Sequence, residues 1–165
     1  MPYRAPSSAS IQLDPTCTGS TVRRAFLLEA LLNLGSFPLV THTRFCLSLL
    51  LNNPSDINPS SILFARLFGG IVVAVLTPAL LCGYRNTRQG IESRRPVYIA
   101  LGLGECALIP LLLGEAMKKG GRGAALSPLG ALGAVSLLVP PLLWRIYVLY
   151  VKPEMLGRYT EVKDE

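Results

Sequence analysis

The apolar residues of this chain fall in blocks too long for ordinary amphipathic helices. Leu67 to Tyr84 contains no charged residue, Ala124 to Trp144 contains none, and Val97 to Met117 contains only Glu105 and Glu115. An apolar run of roughly 18 residues or more can cross the hydrocarbon core of a bilayer as a helix, whereas a buried helix of a soluble domain seldom needs so many in succession. A fourth block, Ala25 to Val40, is shorter and holds Glu29 and Asn33. The pattern predicts an all-α fold, an integral membrane bundle of four transmembrane helices with short loops, over about residues 25–40, 61–84, 97–117 and 129–151.

Punctuation between the blocks supports these bounds. Residues 1–24 have no apolar run and are expected to form a disordered cytosolic tail; with no apolar region close to the start, the first spanning segment reads as an uncleaved anchor. Phe45 to Leu51 is a second apolar patch, set off by the polar Thr41-His42-Thr43-Arg44, and reads as an interfacial turn of helix. Two Asn-Pro-Ser units mark a loop, after which Ser60 or Ser61 is placed to cap the second helix. Arg85 to Pro96 reads as a basic loop, with Pro96 in the first turn of the third helix. Lys118 to Ala125 is a glycine-rich turn, Ser127-Pro128 an N-cap followed by proline at the first helical position, and Lys152-Pro153 a stop before a cytosolic tail over 152–165.

Composition agrees: 50% of the residues are hydrophobic and 16% charged, against about a quarter charged in a usual soluble chain. The net charge of +6 sits at the ends of apolar blocks, with no basic face interleaved with aromatics, so nucleic acid is not an expected partner. These residues act instead as topology signals. Ten of them (Arg4, Arg23, Arg24, Arg85, Arg88, Arg94, Arg95, Lys152, Arg158 and Lys163) fall on one side of a four-crossing chain, and four (Arg44, Lys118, Lys119 and Arg122) on the other. The positive-inside rule then puts both termini in the cytosol, and Tyr84, Tyr98, Trp144, Tyr147 and Tyr150 form an aromatic belt at that interface.

Ionisable residues inside the spans carry the candidate chemistry, because each is costly in hydrocarbon unless paired, solvated or used. There are five: Glu29, Arg66, Glu105, Glu115 and Arg145. At about 1.5 Å of rise per residue, Glu29 lies about 6 Å into the first helix, Arg145 about 9 Å from the end of the fourth, and Glu105 near the middle of the third. These three share the cytosolic half and form a candidate inner cluster. Arg66 and Glu115 fall near the opposite end and form a candidate structural ion pair. Glu29, Asn33 and Ser36 recur as a polar stripe, Arg66, Gly69, Gly70, Val73 and Thr77 share one face, and Pro78, Pro110 and Pro140-Pro141 stand inside spans.

Other chemistry is excluded or unsupported. Cys17, Cys46, Cys82 and Cys106 form no Cys-x-x-Cys pair, and His42 is the only histidine, so neither a zinc site nor a haem held by two histidines is expected. Gly102-x-Gly104 follows no strand and is not a nucleotide motif, and no cofactor is implied. In outline, four short helices with a glutamate, Glu29, in the first is similar to the small multidrug-resistance exporters; the likeness covers architecture and not the residues around that glutamate.

Three functions fit these residues. A structural or accessory role in a membrane pathway is favoured by the absence of catalytic motifs. A membrane-embedded enzyme acting on a lipophilic lipid, isoprenoid or polyketide-like substrate would use Glu105 as acid or base, with Glu29 as its partner and Arg145 setting their protonation. A small proton-coupled transporter would use the same three residues as a carrier site. The expected partners are the lipid bilayer, a lipophilic small molecule in the last two cases, and a second copy or another membrane protein.

Overall fold

A computed structural model describes residues 10–14, 17–118 and 123–162. Residues 1–9 of the expected tail, with Arg4, Lys119, Arg122 and Lys163 of the charge count, lie outside them. The described chain is almost wholly helical. Strand β1 (Ser10–Leu13) is followed by helices α1 (Ser20–Leu34), α2 (Phe37–Thr41), α3 (Thr43–Leu50), α4 (Pro59–Ile71), α5 (Thr77–Tyr84), α6 (Arg88–Ala116) and α7 (Pro128–Ile146), and by strand β2 (Tyr159–Val162). Three helical runs are long and apolar enough to cross a membrane: Pro59–Tyr84, Arg88–Ala116 and Pro128–Val151. A fourth is added when Ser20–Thr41 and Thr43–Leu50, bent by 104°, are taken as one broken span.

Prolines shape these runs without ending them. Between α4 and α5 the helix loosens over Val72–Leu76 into a π turn. Pro78 has no amide hydrogen and its ring crowds the preceding turn, so the wider winding accommodates it. Thr77 closes the gap by donating its hydroxyl to the Val72 carbonyl at 3.0 Å. A second π turn, Tyr147–Val151, extends α7 and is closed by Lys152 N–H on the Tyr147 carbonyl at 2.9 Å.

Several boundaries differ from the sequence reading. Residues expected in a disordered tail form β1 and the first turns of α1, which starts at Ser20 behind Gly19. Gly35 and Ser36 interrupt the first segment, so Ser36 lies beyond the end of the stripe begun by Glu29 and Asn33. The second helix is capped by Asn58, which accepts from Ser60 and Ser61 N–H, while the Ser61 hydroxyl accepts from Asn58 N–H in return. The expected basic loop over 85–96 is largely helix: Thr87 caps α6 by accepting from Gly90 N–H at 3.1 Å, and Pro96 lies inside it. Ser127 caps α7 by accepting from Gly130 N–H at 3.0 Å.

The helices pack α1 on α5, α5 on α6, α6 on α7 and α2 on α4. Val22, Phe26 and Ala30 recur every fourth residue on α1 and build the core with Leu80, Tyr98, Val148 and Leu156. Gly83 makes this approach feasible, since a β-carbon there would stand 2.3 Å from Phe26 Cε1. At this end of the bundle the two tails meet. β1 pairs antiparallel with β2, Ser10 opposite Val162 and Leu13 opposite Tyr159. At the other end, Leu51 bridges Leu126, and Ser127 N–H donates to the Leu50 carbonyl at 2.8 Å. The outer surface is apolar, with Leu137 76% and Leu103 67% exposed.

Candidate functional site

Three of the five sequence-identified ionisable residues come together. Glu29 projects from α1, Glu105 from α6 and Arg145 from the last turn of α7. Arg145 Nη2 donates to Glu29 Oε2 at 2.5 Å, and Nη1 donates to Glu105 Oε1. Arg145 is 4% exposed and Glu105 7%, so water screens neither. The Tyr98 ring lies 5.6 Å below the guanidinium carbon as a cation–π floor. Tyr98 in turn stacks on Phe26 at 4.6 Å between centroids and accepts a hydrogen bond from Trp144 Nε1 at 2.9 Å. One arginine thus links three helices, and one tyrosine ties the same three beneath it. Glu105 Oε2 and Arg145 Nε are buried without a hydrogen-bond partner among the described residues.

The expected outer pair does not form. Arg66 Nε donates to the Thr43 hydroxyl at 3.2 Å, across to the α2–α3 bend. Glu115 pairs with Lys118 and accepts from Ala125 N–H at 2.8 Å, fastening the turn that follows α6. The two residues share a depth but face different neighbours. Depth arithmetic fixes height along a helix and leaves the direction around it open.

A residue counted above only as a topology charge is the largest fully buried side chain among the described residues. Arg94 is 0% exposed and has no carboxylate partner among the described residues. It donates to three carbonyls instead: Gly83 at 2.8 Å, Leu156 at 2.5 Å and Arg85 at 3.3 Å. Two of these belong to the C-terminal end of α5, where carbonyls lack helical partners and the helix dipole is negative. Arg23 does the same from α1, donating to the Tyr84 carbonyl at 2.9 Å over the Tyr84 ring. Gly157, at φ 90°, turns the chain beside Arg94, and a β-carbon there would stand 2.7 Å from Nη1. The signal was the spacing Gly90, Ile91, Arg94, Tyr98, Glu105, a continuous buried stripe once α6 is started at Arg88. Further out, the Tyr159 hydroxyl donates to Glu92 at 2.5 Å, and that bond to a carboxylate pushes the phenol up from its ordinary range.

Among the described residues, two clefts stand out at the surface. One is lined by the α2–α3 bend and α4, the other by Ile91, Glu92, Arg95, Leu149 and the turn at 153–157. Neither is lined by Glu29, Glu105 or Arg145. No protein family, curated protein or solved structure matches this chain.

Proposed function

We propose that the chain is a multi-pass membrane protein of four crossings, with both termini cytosolic, whose buried charges hold the helices together. Its role is structural or accessory in a membrane pathway. The observation that carries this reading is the Glu29–Arg145–Glu105 set, closed over by Tyr98 and Phe26 inside the packed core. A substrate site needs a concave space beside its reacting groups, and the two clefts described above, among the described residues, are lined by other side chains. Pairing of β1 with β2 supports an even number of crossings, because the segments that flank the bundle meet at one end. The exposed leucines of α6 and α7 suit contact with acyl chains.

The test is a rescue experiment. Arg145→Met leaves the buried Glu105 and the half-buried Glu29 facing one another without a cation and is expected to lose about 3–5 kcal/mol, enough to collapse the folded yield. Arg145→Met with Glu29→Gln and Glu105→Gln removes the whole set, and is expected to recover much of that yield and to complement a deletion strain. A well-folded triple variant without cellular function would refute the structural role.

One observation favours the acid/base alternative. The set has two carboxylates for one guanidinium, and Glu105 Oε2 is unpartnered, a place where a proton can be taken up or given. On that reading Glu105→Gln inserts and folds normally yet abolishes the phenotype. On the structural reading Glu105→Gln leaves Arg145 paired with Glu29 and keeps the phenotype.

A further inference from the structure

The cleft between the α2–α3 bend and the first half of α4 has no part in the buried charge set. Its volume is about 740 Å³, within the range of small-ligand sites. Its walls include three basic residues, His42, Arg44 and Arg66, and no Asp or Glu. Arg66 is held in place at one nitrogen: Nε donates to the Thr43 hydroxyl, and Thr43, 2% exposed, donates in turn to the Leu39 carbonyl at 2.7 Å. The other two guanidinium nitrogens of Arg66, and all those of Arg44, have no hydrogen bond or ion pair among the described residues. The remaining walls are apolar and open, with Phe45 65% and Leu63 56% exposed beside Ile62.

The position adds a constraint. Arg66 lies seven residues beyond Pro59, about 10 Å along the helix axis. In a spanning helix that begins at the membrane surface, this is the boundary between headgroups and acyl chains. An arginine that merely snorkels keeps its freedom and is solvated by whatever lipid passes. This one is oriented, and shares the cleft with a second cation, neither of them paired with an Asp or Glu among the described residues.

We propose that this cleft is a binding site for an anionic phospholipid, its phosphate held by Arg66 and Arg44 and an acyl chain lying along Phe45, Ile62 and Leu63. The inference rests on the membrane reading but not on the role of the Glu29–Arg145–Glu105 set. Guanidinium–phosphate pairs are charge-assisted and bidentate, which holds the phosphate; selectivity comes from net charge, because the choline ammonium of phosphatidylcholine already offsets its phosphate and is repelled by two arginines, whereas an anionic headgroup is not.

The purified full chain in an uncharged detergent is titrated with dioctanoyl phosphatidic acid, dioctanoyl phosphatidylglycerol and dioctanoyl phosphatidylcholine, with bound lipid counted by native mass spectrometry. Inorganic phosphate is added as competitor. One saturable lipid per chain is expected, with the two anionic lipids preferred over phosphatidylcholine by about tenfold. Arg44→Ala removes an exposed, unpartnered side chain, leaves the fold intact, and is expected to weaken anionic binding about tenfold. Arg66→Lys keeps the charge, loses the Thr43 anchor, and is expected to weaken it severalfold. Equal binding of phosphatidylcholine, an unchanged affinity in Arg44→Ala, or displacement by an equal concentration of inorganic phosphate would each overturn the proposal. Failure here leaves the charge-set rescue and its outcome untouched, so the two readings fall separately.

Discussion

Replacing Arg94 by methionine tests whether a buried cation held by backbone carbonyls holds this fold. Methionine matches the length of the stem and deletes every donor. The Gly83, Arg85 and Leu156 carbonyls are then left in a space that the side chain had sealed at 0% exposure. A hydrogen bond to a charged donor contributes about 1.5–3 kcal/mol, while removing the cation also relieves its desolvation. The balance of three lost bonds against that relief is about 3–4 kcal/mol. For a chain of this size each kcal/mol moves the midpoint by about 2–4 °C, so a fall of about 10 °C is expected. The assay heats purified protein and follows the monomer peak by gel filtration. Arg94→Lys, with three donors on one nitrogen and no fork, should recover only part of the loss. Arg95→Met, at an exposed neighbour, is the control. A midpoint for Arg94→Met equal to that of Arg95→Met would refute the reasoning, because it would mean that the three carbonyls find partners without the guanidinium.

Gly83→Ala should cost about 1–3 kcal/mol by overpacking, since its β-carbon meets Phe26 while Phe26 is pinned on Tyr98; Phe26→Leu in the same chain should return part of it, and strictly additive midpoints would contradict the contact. Arg66→Met and Glu115→Gln should combine additively within about 0.5 kcal/mol in the same thermal assay, because the two residues serve different partners. A coupling well beyond that margin would restore the ion pair that the sequence led us to expect.

Much of the architecture was legible in the sequence because hydrocarbon-length apolar blocks leave little choice of element. The inner charges were legible for a related reason. In antiparallel helices, residue counts from the ends give heights, and Glu29, Glu105 and Arg145 have matching heights. Arg66 and Glu115 also match in height, yet α4 turns Arg66 toward Thr43 while Glu115 faces the turn at 123–125. The start of α6 was hidden by its composition. Arg88, Arg94 and Arg95 looked like solvent-side topology signals, although arginine is a good helix former and Thr87 is a competent cap. The β1–β2 ribbon left no local trace, because its four-residue strands find their partner only at the far end of the chain.

The hydrogen bonds at the two ends of the bundle bear on whether it cycles. A carrier must open toward each side in turn, which requires one end to part while the other stays shut. Both ends here are tied, mostly by bonds between elements distant in sequence. At the tail end, Asp14 N–H donates to the Arg158 carbonyl at 3.2 Å, Arg158 N–H to the Cys17 carbonyl at 3.1 Å, and Arg94 to the Leu156 carbonyl. At the opposite end, Ser127 N–H donates to Leu50, Asn52 N–H to the Ala125 carbonyl at 3.0 Å, and Ala125 N–H to the Glu115 carboxylate. A structural protein gains from fastening both, and has no reason to release either. Amide hydrogen exchange on the protein in lipid nanodiscs reads this directly, since local opening exposes the amides that it frees. Slow exchange is expected at Ser127 and Asn52 at one end and at Arg158 at the other, unchanged between pH values that do and do not protonate carboxylates once the intrinsic chemical rate is divided out. Exchange that becomes fast at one end alone, and shifts to the other when the pH is changed, would mark an alternating device and displace the structural reading.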